Sequence, residues 1–432
     1  MKKETLRGLA RLNPCLGISC IYTSLKRISI GLALVVLGYS SEAQTQNNTS
    51  KAVELSNPQA STSEWHDKIA IRGYAQVRYN QLFVTNPDLG CEQCDKSWSP
   101  NESFFFRRIR IVFYGKIHPR VFFYIQPDFA SSGGGGKLNF AQLKDAYMDV
   151  GLDRNNEFRF RIGQSKVPYG FENLQSSQNR LPLDRNDGMN SAVYNERDLG
   201  VFFMYAPKEK RKLFSDIGKR GLKGSGDYGV FALGVYNGQT ANLNDLNNQV
   251  HVVSRISYPF EWKEQLVEMG VQAYTGNYVL LENNLSPGVK VNTDRSYRDE
   301  RIAGSFILYP QPFGIAAEYN WGSGPEFNPQ TDSIEVQKLH GGYITLSYLI
   351  RSHKQVIIPF TRYHYYDGGK KHELDARSYE VSELELGIEW QPFRQFELVA
   401  MYVFSQRRYE DFLLQDNLQE GSLLRLQAQV NF

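Results

Sequence analysis

The stretch Ser422-Leu423-Leu424-Arg425-Leu426-Gln427-Ala428-Gln429-Val430-Asn431-Phe432 decides how the rest of the chain is read. Leu424, Leu426, Ala428, Val430 and Phe432 share one parity, and Arg425, Gln427, Gln429 and Asn431 the other. Side chains of a strand alternate faces with period two, so this segment has an apolar side and a polar side. The edge strand of a soluble sandwich is one reading. The closing strand of a membrane barrel is the other, and the alternation with a terminal aromatic favours it.

Composition agrees. The chain has 432 residues with 26 Tyr and 26 Phe, yet mean hydropathy is −0.45. Only every second strand residue of a barrel meets lipid, so a membrane protein of this kind hides its hydrophobicity. No apolar run long enough for a membrane-spanning helix follows the N-terminal region.

That region reads as a signal peptide over residues 1–43. Lys2, Lys3, Arg7, Arg11, Lys26 and Arg27 precede the apolar run Ile28–Leu37, and Ser41-Glu42-Ala43 offers a small-x-small cleavage site. Residues 44–68, rich in Gln, Asn, Ser and Thr, read as a flexible tether, and 69–432 as the barrel. Without residues 1–43 the chain is close to neutral, which gives no case for nucleic-acid binding. Of four cysteines, two remain, Cys91 and Cys94. In an exported protein the pair is expected to form a small loop disulfide; no βαβ pattern supports a redox motif, and no further ligands support a metal site.

Sixteen alternating segments follow, from Ala70–Asn80 to residues 420–432. Connections after odd-numbered segments are mostly long, and those after even-numbered ones mostly short and often marked by Pro, as at His118-Pro119 and Pro310-Gln311. Long loops on one side and short turns on the other, with the last strand pairing with the first, is the plan of an all-β, 16-stranded antiparallel transmembrane β-barrel. A barrel of that size leaves a lumen, so the expected function is a pore. The segment 165–197, after strand 5, is expected to fold inward and narrow it. Residues 207–226, basic and Gly-rich, stand where a short turn is expected and read as a mobile turn. Gly133 to Gly136 read as a flexible surface loop.

The polar parity carries cations: Arg72, Arg78, Arg108, Arg110, Lys116, Arg159 and Arg161. Glu383, Glu385, Glu389 and Glu397 stand on the opposite wall. Charges in a lumen select ions by sign, and guanidinium suits oxyanions. Any water-filled barrel also needs a polar lining, so anion preference, cation preference and none all remain open. Catalysis has little support, with no Gly-x-Ser-x-Gly and no His-Glu-x-x-His motif. His364, Asp367 and His372 could hold a metal weakly but read as an exposed loop. No cofactor and no metal site is expected.

The run Arg161-Ile162-Gly163-Gln164-Ser165-Lys166-Val167-Pro168-Tyr169-Gly170-Phe171-Glu172 resembles the hallmark of the phosphate-selective porin O and P family. Phe106-Arg107-Arg108-Ile109-Arg110, Leu143-Lys144-Asp145-Ala146-Tyr147, Tyr236-Asn237-Gly238 and Ile358-Pro359-Phe360-Thr361-Arg362-Tyr363 resemble it too. The resemblance implies a trimeric outer-membrane porin of a Gram-negative bacterium whose third loop enters the lumen. It implies an anion path lined by Arg108, Arg110, Arg159, Arg161 and Lys166, to which Arg362 is added as a candidate. Its partners would be outer-membrane lipid, small anionic solutes and the barrel-assembly machinery, for which Phe432 would be the signal. The alternative is a structural or assembly barrel subunit of an envelope complex, with incidental conduction.

Overall fold

A computed structural model describes residues 68–84, 103–132 and 138–432. The expected signal peptide, nearly all of the tether, Cys91, Cys94 and Gly133 to Gly136 lie outside the described residues. The strands are β1 (Ile69–Val84), β2 (Ser103–His118), β3 (Val121–Ser132), β4 (Leu138–Gly151), β5 (Phe158–Lys166), β6 (Arg197–Tyr205), β7 (Phe231–Tyr236) and β8 (His251–Trp262). They continue with β9 (Gln265–Val279), β10 (Ser296–Leu308), β11 (Phe313–Asn328), β12 (Ser333–Tyr348, resumed over Ile350–Ser352 past Leu349), β13 (Gln355–Gly369), β14 (Ser378–Phe393), β15 (Phe396–Glu410) and β16 (Asn417–Asn431). Each pairs antiparallel with the next, and β16 returns to β1, so the sheet is a closed 16-stranded barrel.

The seam forms where the terminal alternation places it. Arg425 faces Asn80 and Ala428 faces Val77. Gly73 and Phe432 exchange backbone hydrogen bonds of 2.8 and 3.0 Å. A Cβ on Gly73 would lie 2.5 Å from the Phe432 ring, so the absence of a side chain there is what admits the aromatic. Deleting Phe432 removes both seam bonds and the ring; we expect less folded barrel in the membrane, with unchanged single-channel conductance in what assembles. Electrophoretic mobility of the unheated barrel checks the first, and bilayer recording the second.

Outside, the apolar parity is exposed, as with Ile71, Val77, Phe113, Leu426 and Val430. Tyr258, Trp262, Phe313, Tyr348, Trp390, Phe393 and Phe432 are exposed on the strand ends nearest the short turns, which is an interfacial aromatic girdle. Among the described residues no helix is long and apolar enough to cross a membrane.

Three features differ from the sequence reading. Strand β2 has an extra residue at Arg107, where Gln76 faces Arg108 but Val77 faces Phe106. Strict alternation with Ile109, Ile111 and Phe113 predicts Phe105 outward; beyond the bulge Phe104 and Phe106 point out instead. The alternation predicts strands over 312–321 and 338–350; β11 runs on to Asn328 and β12 starts at Ser333, leaving only 329–332 between them. Residues 207–226 are no loose turn: helix α3 (Lys208–Lys219) buries Phe214 and Ile217, and Leu222 behind it is buried too. Two shorter helices precede it, α1 (Phe171–Leu174) and α2 (Asp187–Asn190).

The interior is not uniformly wet. Phe171, Leu181, Ile217, Leu222, Ile307, Tyr309, Ile358, Phe360 and Val399 belong to one buried apolar cluster. It joins the segment after β5, the α3 insertion and the inner faces of β10, β13 and β15, so that side of the barrel is filled largely by apolar side chains.

Candidate functional site: a cationic chamber at the inward loop

Residues 167–196 lie within the barrel and bind its wall on many sides. Val167 N–H donates to Glu196 O at 3.0 Å and pinches the base of the loop. Arg362 on β13 donates to Glu172 at 2.7 Å and, through two nitrogens, to both oxygens of Glu385 at 2.7 Å. Glu318 on β11 accepts the backbone N–H groups of Phe171 and Glu172 at 2.5 and 2.8 Å, and the Tyr343 hydroxyl at 3.0 Å. Asn186 caps α2 by accepting from Met189 N–H at 3.1 Å, and donates to Gly342 O on β12 at 3.0 Å. Arg301 on β10 donates to Ser191 at 2.7 Å. On the far side Tyr74 and Ser177 hydroxyls meet at 2.7 Å. Asp184 accepts from Arg78 at 3.3 Å and from Arg425. The loop therefore crosses the lumen from β1 to β13.

Three of its carboxylates, Asp184, Asp187 and Glu196, are held ionised by neighbouring cations. Burial alone would raise Asp187, but Arg407 and Lys370 hold it down at about 2. Asp184 and Glu196 are held low in the same way, by Arg425 and Arg78 and by Arg185 and Arg197 respectively.

Beside the loop is a chamber of about 570 Å³. Among the described residues its lining carries ten guanidinium and ammonium groups against six carboxylates. Most of the cations are paired. Arg110 meets Asp128 at 2.7 Å, and Arg197 meets Asp145 at 2.9 Å. Two are not. Arg108 is 4% exposed and donates only to the neutral Gln76 amide, at 3.0 Å, with its Nε unpartnered. Arg180, also 4% exposed, donates to Leu183 O at 3.3 Å, and its Nε and Nη1 have no partner. Burial and neighbouring Arg185 lower the Arg180 guanidinium to about 9, so it remains cationic at neutral pH.

The residues singled out from sequence fall into four places. Arg108, Arg110, Arg362, Glu383 and Glu385 line this chamber. Arg78 lies under the loop, bound to Gln427 at 2.8 Å and to Asp184. Arg72, Arg161 and Lys166 line a second chamber of about 260 Å³, and Arg197 lines both. Arg161 is neutralised by Asp149 at 2.8 Å, Arg159 by Asp227 at 2.5 Å, and Lys166 donates to the carbonyls of Leu174 and Gln175 at 3.0 and 2.6 Å. Lys116 is exposed near the short turns, and Glu389 stands across the lumen against Lys223 at 2.6 Å.

Strict alternation does not reveal Arg107 and Lys144, which also line the chamber. Both sit at bulges, where two successive residues oppose one partner. Arg407 and the loop's Glu172 were equally unmarked. His364 corrects the reading of that stretch as exposed: it is buried on β13, while His372, beyond the strand, is half-buried. His364, Glu383 and Glu385 bring ligand atoms within 4.8 Å of one another. Arg362 already occupies both oxygens of Glu385, and Arg407 binds Glu383 at 2.7 Å, so a cation there would have to displace guanidinium. Asp367 points elsewhere, towards His340 at 4.0 Å.

A closed barrel with an apolar outer wall, aromatic girdle and a lumen narrowed by an inward loop defines a porin-type outer-membrane β-barrel, a fold typical of transport proteins and consistent with small-solute diffusion. Residues 90–432 match the family described as phosphate-selective porin O and P, and the chain belongs to that family. The fold is similar to the outer membrane channel DcaP of Acinetobacter baumannii, with a TM-score of 0.54 at 13% identity over 84% of this chain and 97% of that one. It is similar to the same degree to OmpF of Salmonella typhi, solved in complex with daunomycin: TM-score 0.54, 13% identity, 84% and 97% coverage. At such identities the likeness concerns the fold alone. No curated protein matches the sequence significantly.

Proposed function

We propose that this protein is a passive diffusion channel of a Gram-negative outer membrane that favours phosphate or other small anions. Short turns would face the periplasm and long loops the exterior, after removal of residues 1–43 as a signal peptide and with 44–68 as a tether. The barrel-assembly machinery would insert it through the Phe432 terminus, as a homotrimer. The observation that carries the reading is the pair of buried guanidiniums, Arg108 and Arg180, lining an open chamber without carboxylate partners among the described residues. Guanidinium presents a planar fork of donors to an oxyanion, and a wet chamber keeps binding weak enough for release.

A second reading, a structural barrel subunit, draws support from the apolar side chains that fill one side of the lumen. Proteoliposomes separate the two. Vesicles holding purified protein should take up inorganic phosphate and chloride faster than sodium ions, whereas vesicles as tight as protein-free controls would favour the structural reading.

A further inference from the structure

Within the porin reading, the insertion 207–226 has a role of its own. Helix α3 leaves the short-turn end of β6 and turns its apolar side into the barrel. Phe214, Ile217 and Leu222 are buried there, and a Cβ on Gly224 would stand 2.6 Å from Ile217, so that loop lies tight against the helix. The insertion then reaches the opposite wall. Lys223 donates to both oxygens of Glu389 on β14, at 2.6 and 2.7 Å. Glu389 is buried, as is Glu397 next to it on β15. Lys223 adopts φ 63°, a left-handed conformation costly to a side chain with a Cβ, and this aims its ammonium across the lumen. Burial would lower that ammonium, yet Glu389 and Glu397 raise it above its usual value. Two lighter contacts tie down the rim: Lys210 to Pro259 O at 2.9 Å and Arg351 to Arg220 O at 2.7 Å.

The same segment forms the floor of the smaller chamber. Phe214, Gly218 and Gly224, with Tyr228 just beyond the insertion, face Tyr147 and Arg161 across it. Arg161 stacks between the rings of Tyr147 and Tyr228, at 4.1 and 5.0 Å. The chamber of about 260 Å³ is less than half the volume of the one above the loop. It also falls below the roughly 300 Å³ at which pockets for drug-sized ligands begin.

We propose that residues 207–226 form a second constriction at the short-turn mouth, latched across the lumen by Lys223 and Glu389, which restricts passage to small ions. The inward loop would select by charge, and the latched insertion by size.

The test is bilayer recording of the full chain with polyethylene glycols of graded size, for the wild type and three variants. Lys223→Glu sets a carboxylate against Glu389 and Glu397. Lys223→Glu with Glu389→Lys exchanges the latch charges. The third variant replaces 208–226 by a short Gly-Ser turn. Lys223→Glu and the deletion should raise single-channel conductance about two-fold or more, because the narrowest section sets the resistance. Both should also admit larger glycols, and the exchanged pair should return towards the wild type. A conducting wild type whose conductance and size limit are matched by Lys223→Glu overturns the inference and leaves the porin reading intact; this variant decides even where the deletion fails to fold. Absence of conductance in every protein, with folded barrels in the membrane, overturns the porin reading and the inference with it.

Discussion

Replacing Arg108 and Arg180 together by glutamine is expected to abolish most of the channel's anion preference while leaving the barrel folded. Both groups are buried, both line the larger chamber, and neither has a carboxylate partner among the described residues. Their charge is therefore available to a passing ion. A unit charge at contact distance contributes roughly 1 kcal/mol even at the dielectric of water, so losing two should change the anion-to-cation permeability ratio about tenfold or more. Removing them also relieves like-charge repulsion, so stability should hold or rise. Arg159→Gln with Arg161→Gln is the matched comparison. Those arginines were equally prominent in the sequence, but Asp227 and Asp149 neutralise them. That pair of changes should move the ratio much less and lower stability instead, by leaving Asp149 without its partner and Asp227 with Arg211 alone. The zero-current potential under a salt gradient measures the ratio, and thermal unfolding in detergent measures stability. An equal shift from both double variants would show that pairing does not decide which arginines the ion meets.

Arg362→Met is expected to have the largest effect on the loop. One guanidinium bridges Glu172 of the loop and Glu385 of the wall, with all three side chains almost wholly buried. Breaking a buried pair by removing one partner typically costs about 3–5 kcal/mol, because the other charge stays buried. Here two carboxylates are stranded and repel each other. They can escape the cost by letting the loop leave the wall. The thermal midpoint should fall by several degrees, and single-channel current should become larger and noisier. Arg362→Lys keeps the charge but loses the bidentate fork to Glu385, so it should lie between the two. A silent, quiet Arg362→Met channel of wild-type stability would show that the Glu318 and Asp187 contacts hold the loop unaided.

How far the sequence carries depends on which residues are asked. The period-two pattern of Ser422–Phe432 was enough to find the closing strand, because register against a buried face is strongly specified. It was not enough at Arg107 and Lys144, since a bulge adds a residue without disturbing composition. Arg161 was correctly placed inside, yet its neutralisation depends on register: Asp149 faces it across the β4–β5 pair. Asp227, the partner of Arg159, comes from beyond the α3 insertion, which no strand pattern could bring near. Helix α3 itself was readable in principle. Leu213, Phe214 and Ile217 have helical spacing, but the expectation of a short turn outweighed it. The charged residues of 167–196 were visible as a group; only the fold shows that Asp184 and Asp187 are used up as anchors and that Arg180 is not.

The most direct test of the anion-selective pore is the zero-current potential of the wild-type channel in a planar bilayer, with potassium chloride tenfold more concentrated on one side. Discrete open channels are expected, with a potential that lies on the chloride side of zero and moves back towards zero when added phosphate competes for the chamber. A potential at zero or on the potassium side, or folded barrels that never open, would contradict it.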